Sequence, residues 1–336
     1  MRAISIVCCT RDRPSELRRL VDSLIRARAA LNGIDFELLV VDDGMLPDQL
    51  VRSLAEQVAR AGIHWVYHNK RERPGLLRSR IESVALAPYD WVLFFDDDVD
   101  VEPTYLFRFV EAIERNPDLA GLGGVDVLAP PPPTGRVLGR IACGLEPLRL
   151  GRLSFGGFPA VMGRARGAQQ PFASRRLYGC NMAFRKTALQ GLDILPGFEG
   201  YSLYEDAYLS FEACRAGPLL IDPSLKVRHH RSQLSRDSGL DVGRMSILNH
   251  RRLLQLYGAG GWRQAGALVS ILCLIALSTA NGFRRWLTSQ RADFDFARGQ
   301  FSALGTLLTA DSVDRSVAFQ PRTLSRRRKR LARRGD

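Results

Sequence analysis

Three aspartates stand in a row behind an apolar run: Trp91 to Phe95 (WVLFF) leads straight into Asp96, Asp97 and Asp98. If the run is a strand, its side chains alternate, so Asp96 and Asp98 point one way and Asp97 another. Such crowded charges at the end of a buried strand are costly unless a cation compensates them. Carboxylate oxygens are hard ligands suited to Mg²⁺ or Mn²⁺, ions usually bound together with substrate phosphates. The chemistry indicated is a divalent-metal diphosphate site. Two further acidic pairs recur, Asp42-Asp43 after FELLVV and Glu205-Asp206 in YEDAYLSF. Either pair also has a plain explanation, as loop and helix-cap acids or as acids favoured at a helix N-terminus. His229 and His230 close the segment VRHH, and a neutral imidazole suits Mn²⁺. Histidine pairs are also ordinary surface residues. Arg78 and Arg80 face either an anionic ligand or solvent.

The elements that must position these groups follow from hydrophobic periodicity. Residues 3–9 (AISIVCC), 36–41 (FELLVV), 64–68 (HWVYH) and 91–95 read as short buried strands. Between them, the pattern predicts helices near 16–31, capped by Ser15, then 48–61 and 76–86, with another near 103–115. This alternation predicts an α/β fold, a mostly parallel sheet with helices on both faces, Rossmann-like in layout. In such sheets the ligand site lies beyond the carboxyl ends of the strands. Three of those ends are polar here: Thr10-Arg11-Asp12, Asp42-Asp43 and Asp96–Asp98. Residues 177–189 begin extended and turn helical, a helix is expected near 205–216 and a strand at 219–222. Trp91 and Phe94 belong to the core.

The chain has 336 residues, 46% hydrophobic and 25% charged, which excludes a wholly disordered or collagen-like protein and a polytopic membrane protein. Its six cysteines have neither CxxC nor Cys/His spacing, so no zinc site or disulfide framework is indicated. The apolar run at the start is too short for a signal peptide, so the catalytic part is expected in the cytoplasm. The net charge of +13 is concentrated. Residues 322–336 carry eight Arg or Lys against one Asp, and residues 136–186 carry ten against Glu146 alone. A basic tail suits nucleic acid, an anionic lipid surface or plain solvation. Nucleic acid rests on charge alone, since no helix-turn-helix or RNP motif is present.

In order and spacing, SIVCCTRDRP, LLVVDDG, RPGLLRSRIESV, WVLFFDDDVDVEP, GCNMAFRKTAL and YEDAYLSFEACRAG followed by VRHH resemble glycosyltransferase family 2, the GT-A type of nucleotide-sugar transferase. The resemblance covers roughly residues 3–231. It implies that Thr10 and Asp42 contact the nucleotide base with Asp43 close by, that Asp96 faces the ribose, and that Asp98 holds the metal bridging the diphosphate. Arg11, Arg80, Asp97 and Asn181 complete the implied donor-binding set, with Asn181 and Cys180 where donor and acceptor walls meet. It implies Asp206 as catalytic base, Glu205 positioning or binding acceptor, and His229 or His230 completing the metal site. Ile81 and Ser83 depart from the family's usual Asn and Gly, so a UDP donor is only favoured over GDP or dTDP. The implied reaction is an inverting transfer, dependent on Mn²⁺ or Mg²⁺, from a nucleotide-diphospho-sugar to an acceptor hydroxyl, lipid-linked or otherwise anionic, in envelope polysaccharide or glycolipid synthesis. Two other readings compete: a non-catalytic protein binding membrane or nucleic acid on a related fold, and a nucleotidyltransferase. The latter calls for a glycine-rich basic loop after the first strand, which TRDRPSE is not.

The boundaries expected are a catalytic domain over 1–235, with an irregular basic binding segment at 128–178, a helical region over 236–315 and a flexible basic tail over 316–336. Residues 264–283 are uncharged for 20 residues, the minimum to span a bilayer, yet polar residues dilute the run. A helix packed on the protein is the competing reading. Arg284, Arg285 and Trp286 follow as interfacial anchors would, and Phe294, Ala297, Phe301, Leu304 and Leu308 repeat at helical spacing. With roughly 1 kcal/mol per basic residue near an anionic leaflet, the region is expected to dock on the inner face of the cell membrane.

Overall fold

The computed structural model describes residues 3–29, 31, 33–70, 74–198, 200, 202–232, 234, 237–257, 261–287 and 294–309. In chain order the elements are β1 (Ala3–Thr10), α1 (Pro14–Ala29), β2 (Asp35–Asp42), α2 (Asp48–Arg60), β3 (Ile63–Asn69), α3 (Leu76–Leu86), β4 (Trp91–Asp96), β5 (Val99–Val101), α4 (Tyr105–Arg115) and β6 (Gly121–Asp126). There follow α5 (Thr134–Ala142), α6 (Met162–Ala165), β7 (Phe172–Ser174), β8 (Asn181–Arg185), α7 (Lys186–Leu189), α8 (Glu205–Ala216) and β9 (Leu219–His229). Three helices close the described chain: α9 (Gly239–Leu256), α10 (Gly261–Leu287) and α11 (Asp295–Thr309). The tail expected at 316–336 lies outside the described residues.

One sheet of nine strands runs in the order β3-β2-β1-β4-β8-β6-β9-β5, with β7 on β9. β1 pairs in parallel with both β2 and β4, and β2 with β3; β8 enters antiparallel between β4 and β6. The sheet is thus mixed but mostly parallel, as the sequence predicts. Strand alternation divides each side chain row between two cores. Ile4, Ile6 and Cys8 of β1, with Trp91, Leu93 and Phe95 of β4, pack under α1, α2 and α4. Val7, Leu39, Val41, Val92 and Phe94 face the opposite way, under α3, α7 and α8. On the first face Trp91 meets Phe109 edge-on at 5.8 Å and Phe95 meets Tyr105 at 5.2 Å, contacts worth about 0.5–1.5 kcal/mol each beyond burial.

Three local expectations are corrected. Helix α1 starts at Pro14, not after Ser15, because proline lacks the N–H that the first helical position leaves unused and its φ is preset. β6 escaped sequence reading because its GLGGVD looks like a turn. Its glycines instead permit close packing: a Cβ at Gly124 would sit 1.9 Å from the Leu225 carbonyl oxygen. The segment 128–178 is more ordered than its composition suggests. It holds α5, α6 and β7, organised around buried Glu146, whose carboxylate pairs with Arg140 and Arg164 and accepts the Val161 N–H.

Candidate active site

Flush strand ends create the cleft. Register places Thr10 beside Asp42, Asp42 beside Asn69, and Cys9 beside Asp96, so β1 to β4 all end at one level. The cleft above them is lined by Thr10, Arg11, Arg13, Asp43, Asp96–Asp98 and His229, and closed on one side by Gly75 and Gly200. Gly75 has φ +157 and pairs with Gly200; a Cβ would meet the Gly200 amide nitrogen at 3.3 Å, so a side chain there would press on the wall.

At the centre, ligand atoms of Asp96, Asp98 and His229 lie within 4.8 Å of one another. The chain turns directly after β4, which swings Asp97 away while Asp96 and Asp98 converge. His229 arrives from the far end of β9 through the β5–β9 pairing that sets it opposite Val99. Its Nε2 lies 3.1 Å from Asp98 Oδ1 and 3.8 Å from Asp96 Oδ2. Buried Asp126, at the end of β6, accepts the His229 backbone N–H and pairs with Arg231, so it anchors this segment. The Ser232 N–H donates to Asp98 Oδ2 at 2.7 Å. His230 turns outward to Asp100, 3.0 Å away. Two carboxylates and an imidazole are a donor set suited to Mn²⁺ or Mg²⁺. Burial opposes a charged His229, but its hydrogen bonds to Asp98 and Cys180 prevail and push its pKa up to about 11. Burial raises Asp98, and the His229 hydrogen bond more than reverses this, leaving it below the usual range.

Around this centre, most other carboxylates are already partnered. Asp97 accepts from the Thr10 hydroxyl at 2.7 Å and from Arg13 at 2.9 Å; burial nevertheless lifts its pKa to about 6. Asp43 pairs with Lys70 at 2.8 Å and accepts from Ser79 and the Gly75 N–H. Arg80, fully buried, reaches Asp96 at 2.8 Å with one nitrogen and Glu205 at 2.6 Å with another, tying the acidic centre to α8. Burial raises Glu205, with Arg80 opposing. Next to it, Asp206 Oδ1 accepts from Arg176 at 2.7 Å and from the Ala207 N–H at 2.8 Å. Its Oδ2 has only longer contacts, 3.3 Å to Arg176 Nε and 3.2 Å to the Gly179 N–H. Tyr204, just before the pair, is left-handed with φ 75, a strained state for a bulky residue, and its ring lies 5.0 Å from the Arg176 guanidinium.

The predicted site residues therefore separate. Thr10, Arg11, Asp43, Asp96, Asp97, Asp98 and His229 are brought to one cleft. Asp42 is not: it is fully buried, and its two oxygens take the Gly44 and Leu46 N–H groups, the Tyr67 hydroxyl and the Asn69 amide. Its place is to fold the turn that presents Asp43. Asn181 is also buried, accepting from the Tyr105 hydroxyl and donating to the Leu225 carbonyl, so it joins β8 to β9 and touches no cleft surface. Arg80 acts behind the wall as a clamp. Glu205 and Asp206 stand beside the cleft rather than in its lining. Sequence reading missed Arg13, Arg176 and Asp126. Arg13 had a signal, its place in the polar TRDRP after β1; Arg176 lay among many arginines with nothing to single it out.

This mixed sheet, with its acidic centre beyond the parallel strand ends, is the GT-A nucleotide-sugar transferase fold. The profile of glycosyl transferase family 2 matches residues 5–192, and the chain belongs to that family of glycosyltransferases. Among solved structures, S. aureus TarS 1-349 in complex with UDP-GlcNAc is similar over 92% of this chain and 81% of its own, with TM-score 0.56 and 16% identity. The mannosyltransferase PcManGT from Pyrobaculum calidifontis, in complex with GDP-Man and Mn²⁺, covers 92% of this chain and 88% of its own, at TM-score 0.53 and 13% identity. GalNAc-T7 with UDP, GalNAc and Mn²⁺ is similar over 76% of this chain but only 48% of its own, at TM-score 0.52 and 18% identity. Curated protein sequences show no match.

Proposed function

We propose that this glycosyltransferase moves a sugar from a nucleotide-diphospho-sugar to an acceptor hydroxyl with inversion. The observation that carries this is the convergence of Asp96, Asp98 and His229 in a cleft beyond four flush strand ends. These three residues would hold Mn²⁺ or Mg²⁺, which supplies positive charge to a leaving diphosphate. Arg11, in the lining of the same cleft, adds charge for the donor's phosphates, while Arg13 holds Asp97. Asp206 serves as the base, taking the acceptor's proton on Oδ2, the oxygen with the longer contacts; Arg176 and Gly179 orient it. Glu205, fixed by Arg80, keeps that end in step with Asp96. UDP donors are favoured, in keeping with the UDP held by two of the three neighbours described. The acceptor fits an anionic or lipid-linked hydroxyl, and the catalytic part works in the cytoplasm.

The test is a hydrolysis screen of UDP-, GDP- and dTDP-sugars with Mn²⁺, Mg²⁺ or EDTA. Release of a nucleoside diphosphate with a metal, and none in EDTA, is expected. Pyrophosphate release would mark a nucleotidyltransferase, and the absence of any turnover or nucleotide binding would favour a non-catalytic protein.

A further inference from the structure

Helix α10 is apolar enough to cross a membrane by length, with mean hydropathy 1.8 over Gln264–Arg284, yet about a third of it is already buried against the protein. Ser270, Ile271 and Ile275 are buried, and the two isoleucines pack with Ile247 of α9 and Ala303 of α11. Gly266 lies under the Phe155 ring, where a Cβ would come within 1.8 Å. A helix so docked along one side does not cross a bilayer alone. Its other side remains: Leu268, Val269, Leu272 and Leu277 are all exposed, Val269 by 60%. Phe155, which covers Gly266, extends this surface from the adjoining segment and is exposed by 63%; the same segment carries Leu138, exposed by 61%. Leu138 belongs to α5, a helix with no buried residue.

Charge identifies what covers this face. Arg136, Arg149 and Arg152 are exposed in the segment that carries Leu138 and Phe155. Its single acid between 136 and 166, Glu146, is buried and consumed by Arg140 and Arg164. Helix α10 contains no acid at all. A second copy of the chain would bring the same positive rim and be repelled. An anionic bilayer offers a match to both parts, acyl chains for the leucines and headgroups for the arginines.

We propose that the exposed face of α10, with α5 and Phe155, lies flat on an anionic lipid surface. The same segment is tied to α9 and to the loop that holds Asp206: His250 of α9 meets the Gly156 carbonyl at 2.7 Å, and the Tyr178 hydroxyl, between Arg176 and Gly179, donates to the Ala160 carbonyl. The test is flotation of the full chain with phosphatidylcholine vesicles, with and without phosphatidylglycerol. Recovery with the anionic vesicles at low salt is expected, reduced by salt and by omitting phosphatidylglycerol. Leu268→Asp combined with Leu272→Asp, both at exposed positions, should lower recovery about tenfold with thermal melting unchanged. Arg149→Glu combined with Arg152→Glu should weaken binding to anionic vesicles alone. A wild-type chain left at the bottom of the gradient, or a leucine variant that floats as well as wild type, overturns the proposal.

Discussion

The end of β4 and the start of α8 both crowd carboxylates, but they settle the charge differently. At α8 each acid makes a short contact to a guanidinium, Glu205 to Arg80, which it shares with Asp96, and Asp206 to Arg176. At β4, Arg13 is committed to Asp97, Arg80 is shared with Asp96, and among the described residues Asp98 is met by His229 and the Ser232 N–H. The α8 pair is a network closed within the polypeptide. At β4, Asp96 and Asp98 instead line the open cleft with His229 between them, the arrangement on which the proposed cation and diphosphate site rests. Crowded acids thus form a finished polar network beside the cleft in one place and an unfinished one, open to it, in the other.

The largest effect should come from breaking the unfinished side. Asp98→Asn is expected to reduce donor hydrolysis by at least about 10³-fold, since several kcal/mol of charge stabilisation depend on that ligand. Mn²⁺-dependent nucleotide binding, followed by calorimetry, should vanish with it while the circular dichroism spectrum stays native. Retained activity, or activity undiminished by EDTA, would show that the β4 cluster is a structural network like its neighbour. On the finished side, Asp206→Asn should cut turnover by roughly 10²–10⁴, the range for loss of a general base, with donor affinity little changed. Parallel loss of donor binding would reassign Asp206 to holding Arg176 and the head of α8.

The smallest effect tests how firmly the helices hold the segment beside that second side. His250 stacks on Phe158 at 3.9 Å, and burial lowers its pKa from 6.5 to about 4. The folded state then binds fewer protons than the unfolded chain. Its contribution to stability is complete above pH 6.5 and is lost as the pH falls towards 4, amounting to about 3 kcal/mol across that window. Urea midpoints measured between those limits should fall with acidification, and His250→Gln should flatten the fall. An equal slope in the variant would place the acid sensitivity elsewhere.

Much of this was legible in the chain itself. β1, β2, β3 and β4 are short, mainly apolar and β-branched or aromatic runs, and three of them end in polar clusters, so both their strand character and the location of the cleft follow from local pattern. The triple aspartate stood out because crowded charge at a buried strand end needs compensation, and the structure supplies part of it through Arg13, Arg80 and His229. Asp42 misled for a related reason: an acid after a strand looks the same whether it faces a ligand or closes its own turn. Only the Tyr67 and Asn69 partners, contributed by β3, reveal which it does.

What the sequence by itself determined, then, is the strand–helix alternation, the carboxyl-end location of the site and the hard-ligand character of Asp96 and Asp98. These are properties of residues near one another in the chain, where periodicity and composition act. Tertiary structure decided the rest. It chose His229 over His230, because pairing with β5 fixes which side of β9 faces the acids. It assigned Arg176 to Asp206 and Arg80 to both Asp96 and Glu205, partners up to 125 residues apart. It also split α10 into a packed side and a bare apolar side, which hydropathy averaged around the helix cannot distinguish. Long-range charge pairing and the sidedness of a uniformly apolar helix leave no local pattern, because both are set by what the fold brings alongside.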